Sequence, residues 1–410
     1  MTTLDLTRSP EEFRANLEQW LEEHAPRSLW NTVSTPFHGH WGGRNTAFQT
    51  DDHRAWFETC LPLGLTAPGW PALHGGAGLS GEHVRIWKEE LRARQIPLPL
   101  VGVGLTMIGP ILLTEGNAAQ QAEHIPQIIQ GEIRWAQGYS EPNAGSDLAS
   151  LKTKATEDGD DYIIEGQKVW TSHAEVSDWI FCLVRTSTEG KKQAGITFII
   201  FDLKTPGITI RPIQLISGAS PFCEVFFDKV RVPRSQVVGK VNEGWGVAKA
   251  LLAHERTMVG ESIAGGGARP VALQKYTLRA HAIETIGLNS SGQLDDPLLR
   301  DEIVRSEMEQ RNMGLLIEQI NEVISTGGHP GPESSILKII GTELNQRRWE
   351  LASRIAGASG IGWEGEQFSE VEHALARQWL RSRGNTIEGG SSEIQRNIVA
   401  TRVLGLPRGK

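Results

Sequence analysis

The spacing of apolar residues changes along the chain, and its first third follows a helical repeat. Leu17, Trp20 and Leu21 recur at the three- and four-residue intervals of one face of an amphipathic helix. Gly and Pro residues interrupt this repeat between residues 63 and 80, where they are incompatible with regular helix. We therefore predict a helical domain over residues 1–131.

The pattern changes to short β-prone runs at about residue 132. Asp158 and Gly159 are typical of a hairpin turn between two of these runs. No helical segment alternates with them, which argues against a parallel sheet built from βαβ units. We predict an antiparallel β-barrel or sandwich over residues 132–240, with strands at 162–165, 179–184, 196–201 and 224–227.

Helical periodicity returns after Gly244. One long helix is marked by an apolar stripe, which consists of Leu299, Ile303, Val304, Met308, Leu315, Ile320, Val323 and Ile324. Two further helices are predicted over 336–355 and 371–379. The fold class is therefore α+β and multidomain, and its last part is a C-terminal helical bundle over residues 241–410.

The balance of acidic and basic residues argues against some classes of binding partner. Forty-one basic and 49 acidic residues give a net charge of −8, and the basic residues form no run. Because affinity for nucleic acid depends on clustered cations, we expect no nucleic-acid partner. The net negative charge is still compatible with a small anionic ligand, since such a ligand needs only a few local cations and backbone donors.

The cysteines and the lengths of the apolar runs indicate in which cellular compartment the protein is expected. Cys60, Cys182 and Cys223 lie far apart without a CxxC pair, so we expect neither a disulfide framework nor a metal site. No run of 18 apolar residues is present, and the first 11 residues contain no apolar signal core. A cytoplasmic protein without a membrane span is the expectation.

The stretch from Trp135 to Asp147 carries the most distinctive chemistry. It is predicted to be a strand that runs into a polar loop containing Gly, Pro, Asn and Ser. Backbone N–H groups and small hydroxyls in such a loop can bind the edge of a heterocycle or a phosphate. From this stretch alone, an ordinary exit from strand to turn is the better interpretation.

Other motifs in the same order change that interpretation. Ser140-Glu-Pro-Asn-Ala-Gly-Ser-Asp147 resembles the signature of the acyl-CoA dehydrogenase family, and Gly166-Gln-Lys-Val-Trp-Thr-Ser172 resembles its second flavin segment. The remaining matches are Gly69-Trp-Pro, Gly75-Gly-Ala-Gly, Val230-Arg-Val-Pro233, Asn242-Glu-Gly-Trp245 and Gly390-Ser-Ser-Glu-Ile-Gln-Arg396. Several motifs in register are far more specific than one, so the resemblance covers nearly the whole chain.

This resemblance implies FAD as the cofactor and an acyl-CoA as the substrate. The residues it places at the flavin are Gln137, Tyr139, Ser140, Trp170, Thr171 and Ser172, and it places Ser146 near the CoA arm. Further implied FAD contacts come from Arg279, Arg354, Gly357, Ser391 and Glu393. In relatives the segment around Arg354 reaches the FAD pyrophosphate of a neighbouring subunit, and Arg stands here where Gln is usual.

Desaturation of a thioester needs a base for the α proton, donors to the thioester oxygen and an acceptor for the β hydride. Many relatives carry the base just before the last helix, but that position is Gly389 here, and Glu388 lies one residue too early. The Gly389 N–H could still donate to the thioester oxygen. Other relatives carry the base on an earlier helix directly before a CoA-side Arg. Glu255 and Arg256 match that arrangement, which favours Glu255 as the base over a surface-pair interpretation.

The leading hypothesis is an FAD-dependent acyl-CoA dehydrogenase that passes electrons to an electron-transfer flavoprotein and forms a homo-tetramer or dimer. One alternative is a subunit of a heteromeric enzyme with shared or half-occupied FAD sites. Another is an acyl-CoA oxidase-like flavoenzyme. The acyl group stays open, since the glycines at 260 and 265–267 fit either room for a branched or ring-bearing group or a helix kink.

Overall fold

The computed structural model describes residues 2–32, 39–252, 276–325, 331–332 and 334–407. The chain divides into two compact units. The first unit comprises Met1–Gln214 and Ser220–Glu255, and the second comprises Leu215–Ala219 and Arg256–Lys410.

Six helices are described in the first unit: α1 Pro10–His24, α2 Asp51–Cys60, α3 Gly81–Ala93, α4 Gly109–Glu115, α5 Ala118–Ile129 and α6, described over residues 244–252. The start of α1 shows why the chain turns helical there. Ser9 and Glu12 form a reciprocal capping box, and Pro10 occupies the first turn, where its missing N–H costs no hydrogen bond.

The N-terminal helices pack around three indole rings. Trp20, Trp56 and Trp87 lie 5.7 to 6.4 Å apart between ring centroids. The Trp56 indole N–H donates to the Pro97 carbonyl at 2.9 Å, which satisfies its buried polar atom. The predicted helical region thus has its own apolar core.

The described residues contain nine strands: β1 Gly39–His40, β2 Leu98–Leu100, β3 Trp135–Gly138, β4 Lys154–Asp158, β5 Asp161–Ser172, β6 Trp179–Arg185, β7 Ile196–Asp202, β8 Ile208–Ile213 and β9 Phe222–Pro233. The last seven form one sheet in the order β3-β6-β4-β5-β9-β8, with β7 paired to β6. All four predicted strands lie inside β5, β6, β7 and β9. The pairing is antiparallel except for β3–β6 and β4–β6. The β4–β5 hairpin lies in the long connection that parallel β3 and β6 need.

Two long strands, β5 and β9, form the centre of the sheet. Along β9, every second residue from Cys223 to Phe227 points into the core. After an irregularity at Lys229 (φ 51°) the buried positions shift by one residue, to Val230 and Val232. A bulge of this kind resets which face a strand presents.

The second unit has five described helices: α7 Leu278–Ile286, α8 Pro297–Ser325, α9 Ser334–Ala356, α10 Glu370–Ser382 and α11 Ser392–Ile398. The order of helices, then sheet, then helices confirms the predicted fold class.

The long predicted helix is α8, but its apolar stripe is only partly buried. Leu299 and Ile303 lie in the core, whereas Val304 and Met308 are 51% and 59% exposed. An apolar stripe predicts a helix without saying what covers it. The three-domain boundaries stay a prediction.

Candidate active site

Residues 139–147 form the loop that follows β3. Because the resemblance predicts that this loop binds the flavin, we name it the flavin loop. Its Ser140 carbonyl accepts a hydrogen bond from the Val169 N–H at 2.9 Å, which fastens the loop to β5. Glu141 and Ala144 exchange two backbone hydrogen bonds of 3.1 and 3.0 Å, which close a tight turn. The two segments named by the motifs therefore lie against each other.

The predicted residues of this loop differ in exposure. Gln137 and Ser140 are half-buried, and Ser146 is exposed at the far end of the loop. Tyr139 is 5% exposed, and its ring meets those of Phe181 and Phe198 edge-on in the sheet core. Its ring is therefore part of the packing of the sheet.

A buried ion pair holds the flavin loop. The Lys168 ammonium, fully buried, donates to the Glu141 carboxylate at 2.7 Å and to the Tyr139 carbonyl at 3.1 Å. Glu141 also accepts from the backbone N–H groups of Lys152 and Thr153 at 2.6 and 2.9 Å. Burial opposes ionisation of this carboxyl, but the Lys168 charge and these hydrogen bonds outweigh it and lower the pKa of Glu141.

The pairing of Lys168 with Glu141 was not predicted from the sequence. Two features of the sequence could have indicated it. Lys168 lies at an inward-facing position of β5, where burial of a charge costs free energy unless the charge is paired. Glu141 is the acidic residue of the signature motif.

The end of β5 bulges away from its partner strand. Lys168 pairs with Val225 and Thr171 with Cys223, so β5 advances three residues where β9 advances two. Trp170 lies in this bulge with φ 62°, and its side chain is 55% exposed. A non-Gly residue in the left-handed region is strained, and such strain clusters at binding sites.

Neighbours of the bulge offer both polar and aromatic surface. Thr171 is fully buried, and its hydroxyl has no hydrogen-bond partner among the described residues. Ser172 is exposed, and the Phe222 ring meets the Trp170 ring edge-on at 6.0 Å. This part of the site therefore exposes one large indole, whereas the unpartnered hydroxyl of the next residue is buried.

In the second unit, Glu388 is already engaged. Its carboxylate accepts from Arg381 at 2.8 Å and from the Asn385 amide at 2.6 Å. Gly389 follows with φ 61°, and its carbonyl accepts from the Gln395 amide at 3.2 Å. The exclusion of Glu388 as the base stays a prediction.

The candidate pyrophosphate segment closes α9. The Arg354 guanidinium forms an ion pair with Glu302 at 2.9 Å; the Arg354 side chain is exposed and Glu302 is half-buried. A contact of Arg354 with a phosphate stays a prediction. Gly357 directly follows α9 with φ 59°, a conformation that favours glycine.

The remaining predicted cofactor residues lie on two helices. Ser391 caps α11, since its hydroxyl accepts from the Ile394 N–H. Glu393 is in the first turn of that helix, and hydrogen bonds from its own backbone N–H and from Ser391 lower its pKa. Arg279 is exposed near the start of α7. Glu255 and Arg256 lie outside the described residues.

Three family models match the chain in sequence order: the N-terminal, middle and C-terminal domains of acyl-CoA dehydrogenase, at residues 11–132, 136–230 and 242–404. The acyl-CoA dehydrogenase IpdE1 of Mycolicibacterium smegmatis is 36% identical over 97% of this chain and 98% of its own length. The chain belongs to the acyl-CoA dehydrogenase family. Members of this family are flavoprotein oxidoreductases that act on CH–CH groups.

Solved structures of the family agree over the full chain. A steroid acyl-CoA dehydrogenase, Tcur3481-Tcur3483, is 28% identical with a TM-score of 0.73 and covers 99% of this chain and 100% of that chain. The ChsE4-ChsE5 complex from Mycobacterium tuberculosis is 26% identical with a TM-score of 0.72, and both chains are covered at 100%.

The first unit fits the flavin that the acyl-CoA dehydrogenase family implies. The Trp170 ring offers an exposed aromatic surface, and Thr171, the next residue, carries a buried hydroxyl that has no hydrogen-bond partner among the described residues. Over the described part of the chain, no cluster of three or more His, Cys, Asp or Glu side chains could hold a metal ion. Among the same residues, no helix is both long and apolar enough to cross a bilayer.

Proposed function

We propose that this protein is an FAD-dependent acyl-CoA dehydrogenase that introduces an α,β double bond into the acyl group of a CoA thioester. The observation that carries the proposal is the bulge of β5 at Trp170, directly after the backbone hydrogen bond that joins Val169 to Ser140 of the signature motif. Membership of the family supports the same chemistry. FAD, when bound, supplies the acceptor for the β hydride.

The residues of the chain then have separate tasks. Gln137, Ser140 and the segment 170–172 bind the flavin, and the buried pair of Lys168 and Glu141 keeps their backbone in place. Ser146 and Arg256 bind the CoA arm, and the Gly389 N–H donates to the thioester oxygen, where negative charge develops. Arg354 and Gly357, with Arg279, Ser391 and Glu393, are the proposed contacts to the rest of FAD.

Glu255 is the proposed base that takes the α proton. Its position directly before Arg256 matches relatives that carry the base on the earlier helix. The engagement of Glu388 with Arg381 and Asn385 supports this choice, because a carboxylate held by two partners is poorly placed to leave them for a substrate proton.

Replacement of the base tests the proposal directly. The purified protein should be yellow and should bleach anaerobically with an accepted acyl-CoA. We expect Glu255→Gln to retain the flavin and to bleach about 10²- to 10⁴-fold more slowly, since that is the usual contribution of a general base. Glu388→Gln is the matched control and should bleach at close to the normal rate. Normal turnover by Glu255→Gln would exclude it as the base.

The substrate class is proposed from the relatives. Tcur3481-Tcur3483 is described as a steroid enzyme, so we propose an acyl-CoA whose acyl group carries steroid-derived rings or a steroid side chain. A panel from short and branched to steroid-linked acyl-CoAs, compared by kcat/KM, measures this preference. A straight-chain substrate at the top of the panel would contradict it.

An alternative proposal concerns the subunit composition of the oligomer. The ChsE4-ChsE5 and Tcur3481-Tcur3483 structures each pair two different chains, which supports a heteromeric enzyme with shared FAD sites as an alternative to a homo-oligomer. Flavin content of this chain expressed alone decides between the two: close to one FAD per chain supports the homo-oligomer. In either assembly we propose an electron-transfer flavoprotein as the acceptor, and peroxide release under air would instead indicate an oxidase.

A further inference from the structure

The second unit contains a network of polar side chains that joins the segment between α10 and α11 to one face of α9. Lys338, Asn345 and Gln346 supply the α9 side of this network. The second and third of them lie seven and eight residues after the first, so all three share one face of the helix. We name residues 383–391 the glycine turn, after the two glycines with positive φ near its end.

Asn385 is the junction of the network. Its carbonyl accepts from the Lys338 ammonium at 3.0 Å, and its side-chain oxygen accepts from the Asn345 amide at 2.8 Å. Its own amide donates to the Glu388 carboxylate at 2.6 Å. The backbone and the side chain of this half-buried residue are therefore both held in one position.

Lys338 is an unexpected residue at such a buried position. Its side chain is 4% exposed, and among the described residues its ammonium forms no ion pair and donates only to the Asn385 carbonyl. Burial lowers the pKa of Lys338, and the negative charge of Glu388 is the largest of those that oppose this shift. Burial of an ammonium with one hydrogen bond costs free energy that an apolar side chain of similar size would avoid. Packing of α9 alone therefore does not account for this lysine.

Glu388 closes the network on the side of α10. Its carboxylate also accepts from the Arg381 guanidinium, at 2.8 and 3.1 Å. Between these two residues, the Thr386 hydroxyl accepts from the Gln346 amide at 3.1 Å. Side chains of both α9 and α10 thus anchor the residues that directly precede Gly389.

The peptide N–H of Gly389 lies at the end of this network. Gly389 is exposed and has φ 61°, and its carbonyl accepts from the Gln395 amide at 3.2 Å. No described residue accepts a hydrogen bond from the Gly389 N–H. The neighbours of this peptide are fixed on both sides, whereas its donor is unused. Such an N–H is preorganised for an oxygen on which negative charge develops, because it needs no reorientation during the reaction.

We infer that Lys338 is a positioning residue for the proposed reaction: through Asn385 and Glu388 it holds the Gly389 N–H in the orientation that donates to the thioester oxygen. The inference rests on the proposed function, which assigns this N–H to that oxygen. It also gives Glu388 a task other than proton transfer, as the acceptor that joins α10 to the glycine turn. A misplacement of about 1 Å in such a group can cost about 10²-fold in rate.

The test separates the rate of the reaction from binding and from folding. Flavin content and urea unfolding report on folding. The rate of anaerobic bleaching is measured at saturating concentration of the acyl-CoA preferred by the wild-type protein. Cinnamoyl-CoA, a conjugated enoyl thioester, gives a Kd by titration, and its absorption band moves to longer wavelength when its carbonyl accepts a hydrogen bond.

We expect Lys338→Met to bleach about 10- to 100-fold more slowly than wild type while it retains its flavin. The Kd for cinnamoyl-CoA should rise by at most about threefold, since one hydrogen bond contributes little to the binding of a whole thioester. The shift of the cinnamoyl-CoA band should decrease. A role of Lys338 in stability alone would not change that shift. Asn345→Ala removes the other α9 donor to Asn385 and should slow bleaching about 10-fold, so it tests the same inference where Lys338→Met does not fold.

Thr342→Val is the matched control on the same face of α9. Thr342 is 4% exposed, and among the described residues its hydroxyl donates only to the carbonyls of Lys338 and Ile339, within its own helix. Its substitution affects a buried hydrogen bond without a contact to the glycine turn. The bleaching rate and the band shift should therefore stay close to those of wild type.

Two substitutions of Glu388 distinguish an anchor from a base. Glu388→Ala removes the acceptor of both Asn385 and Arg381, so it should slow bleaching as Lys338→Met does. Glu388→Gln keeps one side-chain oxygen for these donors and should bleach at close to the normal rate. Equal losses in the two variants would indicate a base and contradict the anchor.

Three further results would overturn the inference: a normal bleaching rate in a folded Lys338→Met or Asn345→Ala protein, an equal loss of rate in Thr342→Val, or an unchanged band shift in Lys338→Met. Failure of the proposed function has a different signature. In that case no acyl-CoA bleaches the wild-type flavin, whereas the band shift of bound cinnamoyl-CoA still reports on the hydrogen bond to its thioester oxygen.

Discussion

At the scale of single residues, the flavin loop depends on one buried charge. Lys168 is fully buried and joins two parts of that loop, the Tyr139 carbonyl and the Glu141 carboxylate. Loss of one member of such a pair leaves the other charge buried without compensation, which typically costs about 3–5 kcal/mol. The backbone that carries Ser140 would lose its anchor at the same time.

We therefore predict that Lys168→Met lowers the free energy of unfolding by about 3–5 kcal/mol and weakens flavin binding. Urea unfolding and flavin titration measure the two effects. Lys192→Met is the matched control: Lys192 pairs with Asp147 at 2.6 Å, but both side chains are exposed, so a loss of at most about 1 kcal/mol is expected. The double variant Lys168→Met with Glu141→Gln should recover part of the loss. Equal effects of the two Lys substitutions would show that burial of the pair is unimportant.

At the scale of elements, α5 is tied to the loop that follows β9. Gln120 is 3% exposed, and its amide donates to the carbonyls of Ser235 and Val237 at 2.8 and 2.9 Å. Its side-chain oxygen accepts from the Asn117 N–H at 3.1 Å and completes the capping box of α5. One side chain thus caps the helix and satisfies two carbonyls outside it.

Gln120→Ala should lower the free energy of unfolding by about 2–4 kcal/mol, because two carbonyls and the helix cap lose their partner together. Gln127→Ala on the same helix is the control. Among the described residues the Gln127 side chain donates only to the Glu123 carbonyl one turn away, so the free energy of unfolding of this variant should stay within about 0.5 kcal/mol of wild type. Thermal and urea unfolding of both variants give the comparison. A Gln120→Ala protein as stable as Gln127→Ala would contradict this account of α5.

At the scale of the whole molecule, several histidines are destabilising in acid. Burial lowers the pKa of His40 to about 4, and burial is also the main cause of the lowered pKa values of His124, His173 and His281. The unfolded chain therefore binds more protons than the folded protein between about pH 6.5 and 4. The resulting stability is present above pH 6.5 and is lost as the pH falls through that window.

We predict that the melting temperature falls steadily from pH 7 to pH 4.5. His40 alone accounts for up to about 3 kcal/mol at the acid end. His40→Gln, which stays uncharged, should flatten the dependence, and the difference from wild type should be largest at the lowest pH. Melting curves recorded by circular dichroism across this range provide the test. A constant Tm, or a parallel curve for the variant, would refute the assignment to His40.

Much of this molecule could be predicted from the sequence because the signals involved are local. Periodicity predicted the helical region, four of the seven strands described in the main sheet and the long helix α8, since burial of one face imposes a fixed spacing on each element. The ordered motifs likewise indicated the family, because several short segments in register are far more specific than one. The offset of Glu388 from the usual position of the base follows from counting alone and stays a prediction.

Only the tertiary structure decided which distant residues meet. The parallel pairing of β3 with β6, the bulge that exposes Trp170, and the joining of Lys168 to Glu141 across 27 positions all depend on register between segments. Periodicity within one strand decides which of its faces is buried, and so restricts register to steps of two residues, but it neither selects among those steps nor identifies the partner strand. The sequence by itself determined the elements and the chemistry they carry, whereas packing determined where that chemistry is presented.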